Sequence, residues 1–513
     1  MINKIIDYSA HNRFFVILLT LVATAAGIWS LRHVPLDAIP DLSDVQVIVF
    51  TDWPGRAPNI VEDQITYPVI TTMIAAPRVK YVRGESMFGY SFVNIVFEDG
   101  TDIYWARSRV LEYMQGISGR LPEGVTPTLG PDATGVGWVF QYALVDKSGR
   151  HTLADLRSFQ DWYLRYWLAS VEGVAEVASV GGFVKQYQVN VDPATLLAYN
   201  LPLNQVIEAI RRSNNEVGGR VVEFAGAEYM VRGLGYITSI SDIENIPVGT
   251  NGKGTPILVR DIAHVHLGPD LRRGLVELNG EGETVGGVVV MRYGENALEV
   301  IDGVKQKLTE VKKSLPEGVE LVITYDRSEL IHRAIDTLQH TLTEELLIVG
   351  LVILLFLWHI PSAIIPIFTI PVAVLISFIP MYFMGITSNI MSLGGIAIAI
   401  GAMVDAAIVV VEQTHKKLEH WEAEGRPGDY RDVVITAVKE VGRPSFFALL
   451  VIAVSFLPIF ALEAQEGRLF KPLAFTKNFS MAIAAFLTIT LDPALRLLFT
   501  HLQNFNFRPR WLS

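Results

Sequence analysis

The spacing of its apolar runs constrains this chain more than any other feature. One run, Phe14 to Leu31, lies near the N-terminus, and no other long one follows until Leu346, about 310 residues later. Five then come in close succession: Leu346 to Leu357, Ile364 to Met384, Ser392 to Val411, Phe446 to Leu462 and Leu473 to Phe499. A helix crossing a bilayer core needs about 20 mostly apolar residues. The pattern therefore predicts six membrane spans, with a domain-sized extramembrane segment between the first and second. A hydrophobic content of 50% and a mean hydropathy of +0.34 exclude a string of ordinary soluble domains.

Lys4 and Arg13 precede the first run, and Ala23-Thr24-Ala25 inside it resembles a leader cleavage site. Apolar character continues beyond that tripeptide to Leu31, which favours a retained anchor. Short cytoplasmic loops collect Lys and Arg. Glu412 to Pro444 carries Lys416, Lys417, Arg426, Arg431, Lys439 and Arg443, and the C-terminal tail carries Arg508 and Arg510. Both termini are thus expected in the cytoplasm, and the long segment in the periplasm of a Gram-negative host.

In that segment β-branched runs alternate with amphipathic helices: Val45 to Phe50, Ile60 to Met73, Tyr90 to Phe97 and Ile103 to Ile117. This is a βαβ-type α+β plan. Leu121-Pro-Glu-Gly-Val125 and Leu315-Pro-Glu-Gly-Val319 form a short internal echo, each ending a helix and opening a strand. Ser213-Asn-Asn-Glu-Val-Gly-Gly219 is a hairpin signal, readable as an inserted projection or as an ordinary surface loop.

A net charge of −11 argues against nucleic-acid binding. With no cysteine, thiolate chemistry is excluded, and a soft metal ligand has to be a methionine thioether supported by histidine. Phosphate-binding glycine loops, GxSxG and HExxH are all missing, so neither ATP hydrolysis nor another enzymatic reaction is expected.

Asp405, inside the fourth apolar run, is the most informative residue. A carboxylate at membrane depth costs roughly 2.5 to 3.5 kcal/mol, so such residues face a protein interior and have a task. Proton carriage fits, because burial raises a carboxylate's pKa and a neighbouring cation lowers it; the plainer reading is a structural hydrogen-bonding group. Glu412, seven residues on, is a proton exit or simply a helix end meeting water. With His415 it also has the i, i+3 spacing of a carboxylate–histidine metal site, a pattern that needs further partners. Gly394, Gly395, Gly401 and Ala402 predict close helix packing around Asp405. Met391, Met403 and Met481 are candidate ligands for Cu(I) or Ag(I), or flexible fillers of apolar gaps. Met391 and Met403 stand about 18 Å apart along a helix and could only be successive stations.

Long motifs in order carry a resemblance over nearly the whole chain. They include Pro40-Asp-Leu-Ser-Asp-Val-Gln-Val-Ile48, Phe97-Glu-Asp-Gly-Thr-Asp-Ile-Tyr-Trp-Ala-Arg-Ser-Arg109, Gly130-Pro-Asp-Ala-Thr-Gly-Val-Gly-Trp138, Met391-Ser-Leu-Gly-Gly-Ile-Ala397, Glu466-Gly-Arg-Leu-Phe470 and Leu473-Ala-Phe-Thr-Lys477. The chain resembles the N-terminal half of the heavy-metal-efflux branch of the RND superfamily, its copper/silver-exporting, Cus-type inner-membrane pumps in particular.

That resemblance implies a proton-driven secondary transporter with no cofactor beyond the transported ion. It implies a homotrimer working with a periplasmic adaptor protein and an outer-membrane channel. Its layout would be a cytoplasmic segment and first span (1–31), a first porter subdomain (32–139), a second in two parts (140–182 and 276–335) split by a docking insertion (183–275), five more spans (336–500) and a cytoplasmic tail (501–513). Asp405 matches the family's proton-relay aspartate, and Met391, Met403 and Met481 match methionines proposed to relay the metal. Asn214, Asn215, Gly218 and Gly219 fall where protomers interlock. Divalent-metal relatives carry an aspartate where this chain has Ala399, which favours the monovalent ion over Zn, Co, Ni or Cd. Family pumps are roughly twice as long, so a separate C-terminal half is a further expected partner; the alternative is a half that serves only as a docking module.

Overall fold

A computed structural model describes residues 2–500 except 252–253, 273 and 358–359. Among the described residues five helices, rather than the expected six, are long and apolar enough to cross a membrane: Arg13–His33, Ile364–Phe383, Ile390–Ala423, Tyr430–Ala461 and Ala464–Phe499. The other expected span, Leu346 to Leu357, forms the last part of the helix Arg327–Leu357 and adjoins residues outside the description. Its apolar stretch of 12 residues is shorter than the roughly 17 a crossing needs. The tail with Arg508 and Arg510 also lies outside the described residues.

The expected basic loop from Glu412 to Pro444 is largely helical. Ile390–Ala423 and Tyr430–Val454 both extend beyond their apolar parts, leaving only a short turn between them. Polar residues continue a helix readily once they can pair across it. Lys417 meets Glu440 at 2.8 Å, and Gln413 Nε2 donates to Glu440 at 2.7 Å. A separate helix, Ile2–His11, precedes the first span. Its Ile6 and Ala10 are buried with Val410, Leu418, Val438 and Leu497, and Asp7 pairs with Lys439 at 2.5 Å.

Two four-stranded antiparallel sheets make up most of the long segment. The first contains Gln46–Asp52, Val79–Met87, Tyr90–Phe97 and Thr128–Leu129 in the spatial order second, third, first, fourth. Residues 58–73 and Ile103–Ile117 supply its helices, which bury Val69, Met73, Ala106, Val110 and Met114 against Val47, Val49, Val93 and Ile95. The second sheet repeats that order with Trp138–Asp146, Val174–Gly181, Val285–Met291 and Val319–Asp326. Every residue of Val285–Met291 is buried, as a central strand between two neighbours requires. The two Leu-Pro-Glu-Gly-Val segments occupy equivalent places, between second helix and fourth strand, and their Gly124 and Gly318 adopt φ of 79° and 88°. Only glycine takes that left-handed turn without strain.

Residues 185–269 interrupt the second sheet. This insertion is entered by Lys185–Val191 and left by Ala263–Pro269, which pair with each other, and it has its own core of Val206, Ala209, Ile243, Val248, Ile257 and Val265. A hairpin, Val217–Phe224 with Ala227–Gly233, projects from it exposed along its whole length. The turn is Ala225-Gly226, both at positive φ, rather than the Asn/Gly cluster before it. Asn214 instead ends the helix Leu203–Ser213, and its Oδ1 accepts a hydrogen bond from the Ile237 amide at 3.1 Å; Gly218 and Gly219 sit within the first strand.

Two ion-pair clusters join these sheets to the membrane helices. Arg327, buried at the start of its helix, donates from Nη2 to both Asp37 oxygens at 2.7 and 3.0 Å and from Nη1 to the Val136 carbonyl. Burial pushes the Asp37 carboxyl up despite the opposing pull of Arg327. Arg468 donates to the Leu42 carbonyl at 2.9 Å, to Asp44 at 3.0 Å and to Asp99. The Arg468 hydrogen bond holds the Asp99 carboxyl below its ordinary range.

Candidate functional site

The helix Ile390–Ala423 carries most of the candidate residues, and a reciprocal cap fixes where it starts. Asn389 Oδ1 accepts from the amides of Met391 and Ser392, both at 3.0 Å, while Ser392 Oγ accepts from the Asn389 amide at 2.7 Å. Thr476 Oγ1 then donates to the Ser392 carbonyl at 2.7 Å, tying this helix to Ala464–Phe499. At Gly395 the two helices approach so closely that a Cβ would overlap the Leu473 carbonyl and the Thr476 hydroxyl.

Met403 and Met481 are brought into one apolar cluster with Met381, Ile370, Ala373 and Ala485; they are 3% and 0% exposed. Met391 is half-buried at the periplasmic end of the helix and lies apart from that cluster. Asp405 is exposed on the outer face of the bundle. The expected tight packing around it is corrected: of the glycines, only Gly395 makes a close approach, and neither Gly394 nor Gly401 has a neighbour within reach of an added Cβ. Ile398, Gly401, Asp405, Val409 and Glu412 form one exposed stripe, because helical side chains three and four apart share a face. Among the described residues no hydrogen bond or ion pair engages Asp405.

Glu412 is exposed and paired with Lys416 at 2.6 Å, the arrangement of a solvated helix end. Among the described residues no three His, Asp or Glu side chains gather where they could hold a metal ion, which leaves the Glu412–His415 spacing without further ligands. Asn214, Asn215, Gly218 and Gly219 all lie at the base of the projecting hairpin, far along the chain from the membrane site.

Sequence reasoning missed three polar groups inside the bundle. Lys477 is 1% exposed, with its Nζ 2.8 Å from the centroid of the Phe456 ring. Asp492 and Arg496 form a buried pair further along the same helix. Their one available signal was charge inside an apolar run, the criterion that singled out Asp405.

A bundle of membrane helices bearing twice-repeated βαββαβ units defines a polytopic membrane protein with a large extramembrane part. Comparison with known proteins makes this specific. The AcrB/AcrD/AcrF family profile matches residues 5–504, and the chain belongs to that family of RND transporters. It is similar to the putative cation efflux system protein SilA of Salmonella typhimurium and the cation efflux system protein CusA of Escherichia coli K12, at 55% identity over 96% of this chain and 48% of each relative. It also superposes on the crystal structure of a heavy metal efflux pump with a TM-score of 0.85 at 34% identity, covering 96% of this chain and 48% of the other. The chain thus spans about half the length of the curated relatives it matches.

Proposed function

We propose that the chain supplies the N-terminal half of a proton-driven inner-membrane exporter of Cu(I) or Ag(I). The observation that carries this reading is the burial of the Met403 and Met481 thioethers in one cluster between the helices Ile390–Ala423 and Ala464–Phe499, the first of which presents Asp405 two residues after Met403. Thioether sulfur suits soft monovalent cations and is a poor ligand for harder divalent ones. Met391, at the outer end, is the last station before the periplasm. The transported ion is substrate, and no resident cofactor is invoked.

Asp405 carries the proton. Exposed as it is, it needs cover from a second helical surface, and the glycine-lined stripe around it lets another backbone approach closely. The partner for that face is the second half-length of chain that the relatives possess. Once covered, the carboxylate exchanges a proton between two environments, one dry and one cationic, which is how its affinity alternates. Glu412, already in water beside Lys416, is at most a relay to the cytoplasm.

The first sheet unit and the divided second unit are read as porter subdomains in the periplasm, and residues 185–269 as the docking insertion, whose exposed hairpin engages a neighbouring protomer of a trimer. An adaptor protein and an outer-membrane channel complete the export path. Silver and copper tolerance in an efflux-deficient host making those two partners tests the whole reading. Tolerance is expected only when the chain is made with a C-terminal half, and is expected to disappear with Asp405→Asn. A phenotype insensitive to Asp405→Asn would leave a docking module instead, and tolerance restricted to zinc or cobalt would reassign the cargo.

A further inference from the structure

His264 and His266 stand two residues apart on the strand Ala263–Pro269, one side of the stem that joins the insertion to the second sheet. Side chains two apart on a strand share a face. Val265, between them, turns the other way into the insertion's own core, with Val189 and Val191. The two imidazoles therefore lie together on the face opposite that core, stacked with ring centroids 5.3 Å apart and planes inclined by 22°.

His266 Nδ1 is buried and has no hydrogen-bond partner among the described residues. Such an atom calls for an explanation, because burying a polar group without a partner costs free energy. The natural donor is Gln188, which stands opposite His266 in the register. Its amide is committed elsewhere: Nε2 donates to the Pro269 carbonyl at 2.9 Å, and the side chain lies across Gly268, where an added Cβ would overlap it. Glycine at 268 thus lets Gln188 lean away from the imidazole.

Each neutral imidazole offers one nitrogen lone pair, and a metal ion can share two of them. Two nitrogens on one ion stand at most about 4 Å apart at bond lengths of about 2.0 Å, a separation open to rings spaced as these are. Zinc sites use three or four protein ligands, and among the described residues no third His, Asp or Glu joins the pair. A monovalent ion such as Ag(I) or Cu(I) is satisfied by two donors in line, and imidazole is a good donor for copper.

We propose that His264 and His266 form a two-nitrogen site for a monovalent soft cation, Ag(I) or Cu(I), on the stem of the insertion. The site is separate from the methionine cluster of the membrane bundle and uses nitrogen instead of sulfur. Binding follows from the pair alone; its use as a station for the ion outside the membrane rests on the reading of the chain as part of an exporter.

The test uses the full chain, purified in detergent, with silver nitrate as the probe; the chain has no cysteine to compete for silver. Diethyl pyrocarbonate acylates free imidazole nitrogens, and mass spectrometry of a digest reports acylation at His264, at His266 and at His332, an exposed histidine on the helix Arg327–Leu357. A nitrogen bound to silver has no lone pair left to react. Silver is expected to lower acylation of His264 and His266 at least fivefold and to leave His332 unchanged, while zinc nitrate at the same concentration protects none of them. His266→Gln is expected to remove the protection of His264, and His264→Gln that of His266, since one imidazole alone does not hold the ion. Protection of either histidine that survives loss of the other, equal protection by zinc, or no protection by silver overturns the proposal. None of these readouts involves transport: absence of protection leaves the exporter reading standing, and silver tolerance that fails despite protection counts against the exporter reading alone.

Discussion

Two adjacent glycines should respond to the same substitution with opposite signs. In Gly395→Ala the new methyl meets the Leu473 carbonyl and the Thr476 hydroxyl. Two of its three nearest atoms are backbone, so the helices Ile390–Ala423 and Ala464–Phe499 must separate rather than a side chain turn aside. Overpacking of this kind costs about 1–3 kcal/mol. Displacing Thr476 from the Ser392 carbonyl adds about 0.5–1.5 kcal/mol, and the helix regains about 0.5–1 kcal/mol because alanine replaces glycine. The net expectation is a loss of about 0.5–4 kcal/mol. Gly394→Ala meets nothing and keeps only the gain of about 0.5–1 kcal/mol. Reversible unfolding in mixed micelles, followed by tryptophan fluorescence, reads the difference directly. Equal stability of the two variants would refute a helix contact made through Gly395.

Three further outcomes follow from the geometry. Asp37→Asn leaves the buried Arg327 guanidinium without its counter-charge, which costs about 3–5 kcal/mol; earlier proteolysis between the first span and the first sheet would report it. Replacing the exposed hairpin residues 217–233 by a short glycine linker should leave the melting temperature unchanged while abolishing cross-linking between protomers; a lowered melting temperature would show that the hairpin supports the fold. The Lys185 hydrogen bond, aided by Thr152, holds Asp155 well down, to about 2 against 3.8. A depressed folded value means that this contact's contribution is complete above about pH 4 and is lost as the pH falls through 2. Carboxyl NMR titration should find the low value, and Lys185→Met should return it most of the way to normal.

Much of the extramembrane architecture was legible because its elements obey simple periods. Val45 to Phe50 and Ile103 to Ile117 show strand and helix periodicity directly, and both elements are present. Val79–Met87 was not legible: it is an edge strand whose Lys80, Arg83 and Glu85 face water, so little apolar alternation marks it. The hairpin turn was misplaced because Asn and Gly at 214–219 are stronger turn formers than Ala225-Gly226, yet Asn214 is spent on a helix end. Within the membrane, Asp405 stood out as a charge in an apolar run, but its exposure did not. Which face of a helix is covered depends on its neighbours, and composition cannot report them. Arg496 escaped notice because it lies near the end of its run, where a basic residue ordinarily reaches water.

The insertion hangs from the second sheet by a single stem. Lys185 and Pro269, its first and last paired residues, stand opposite each other in the register. Chain enters and leaves at one point, so the sheet below closes its own core without help from anything above. Such a module is portable: residues between the stem strands can be lengthened, exchanged or grafted from another scaffold, and the sheet needs only two ends held one strand-spacing apart. The insertion can therefore change without disturbing the sheet that carries it.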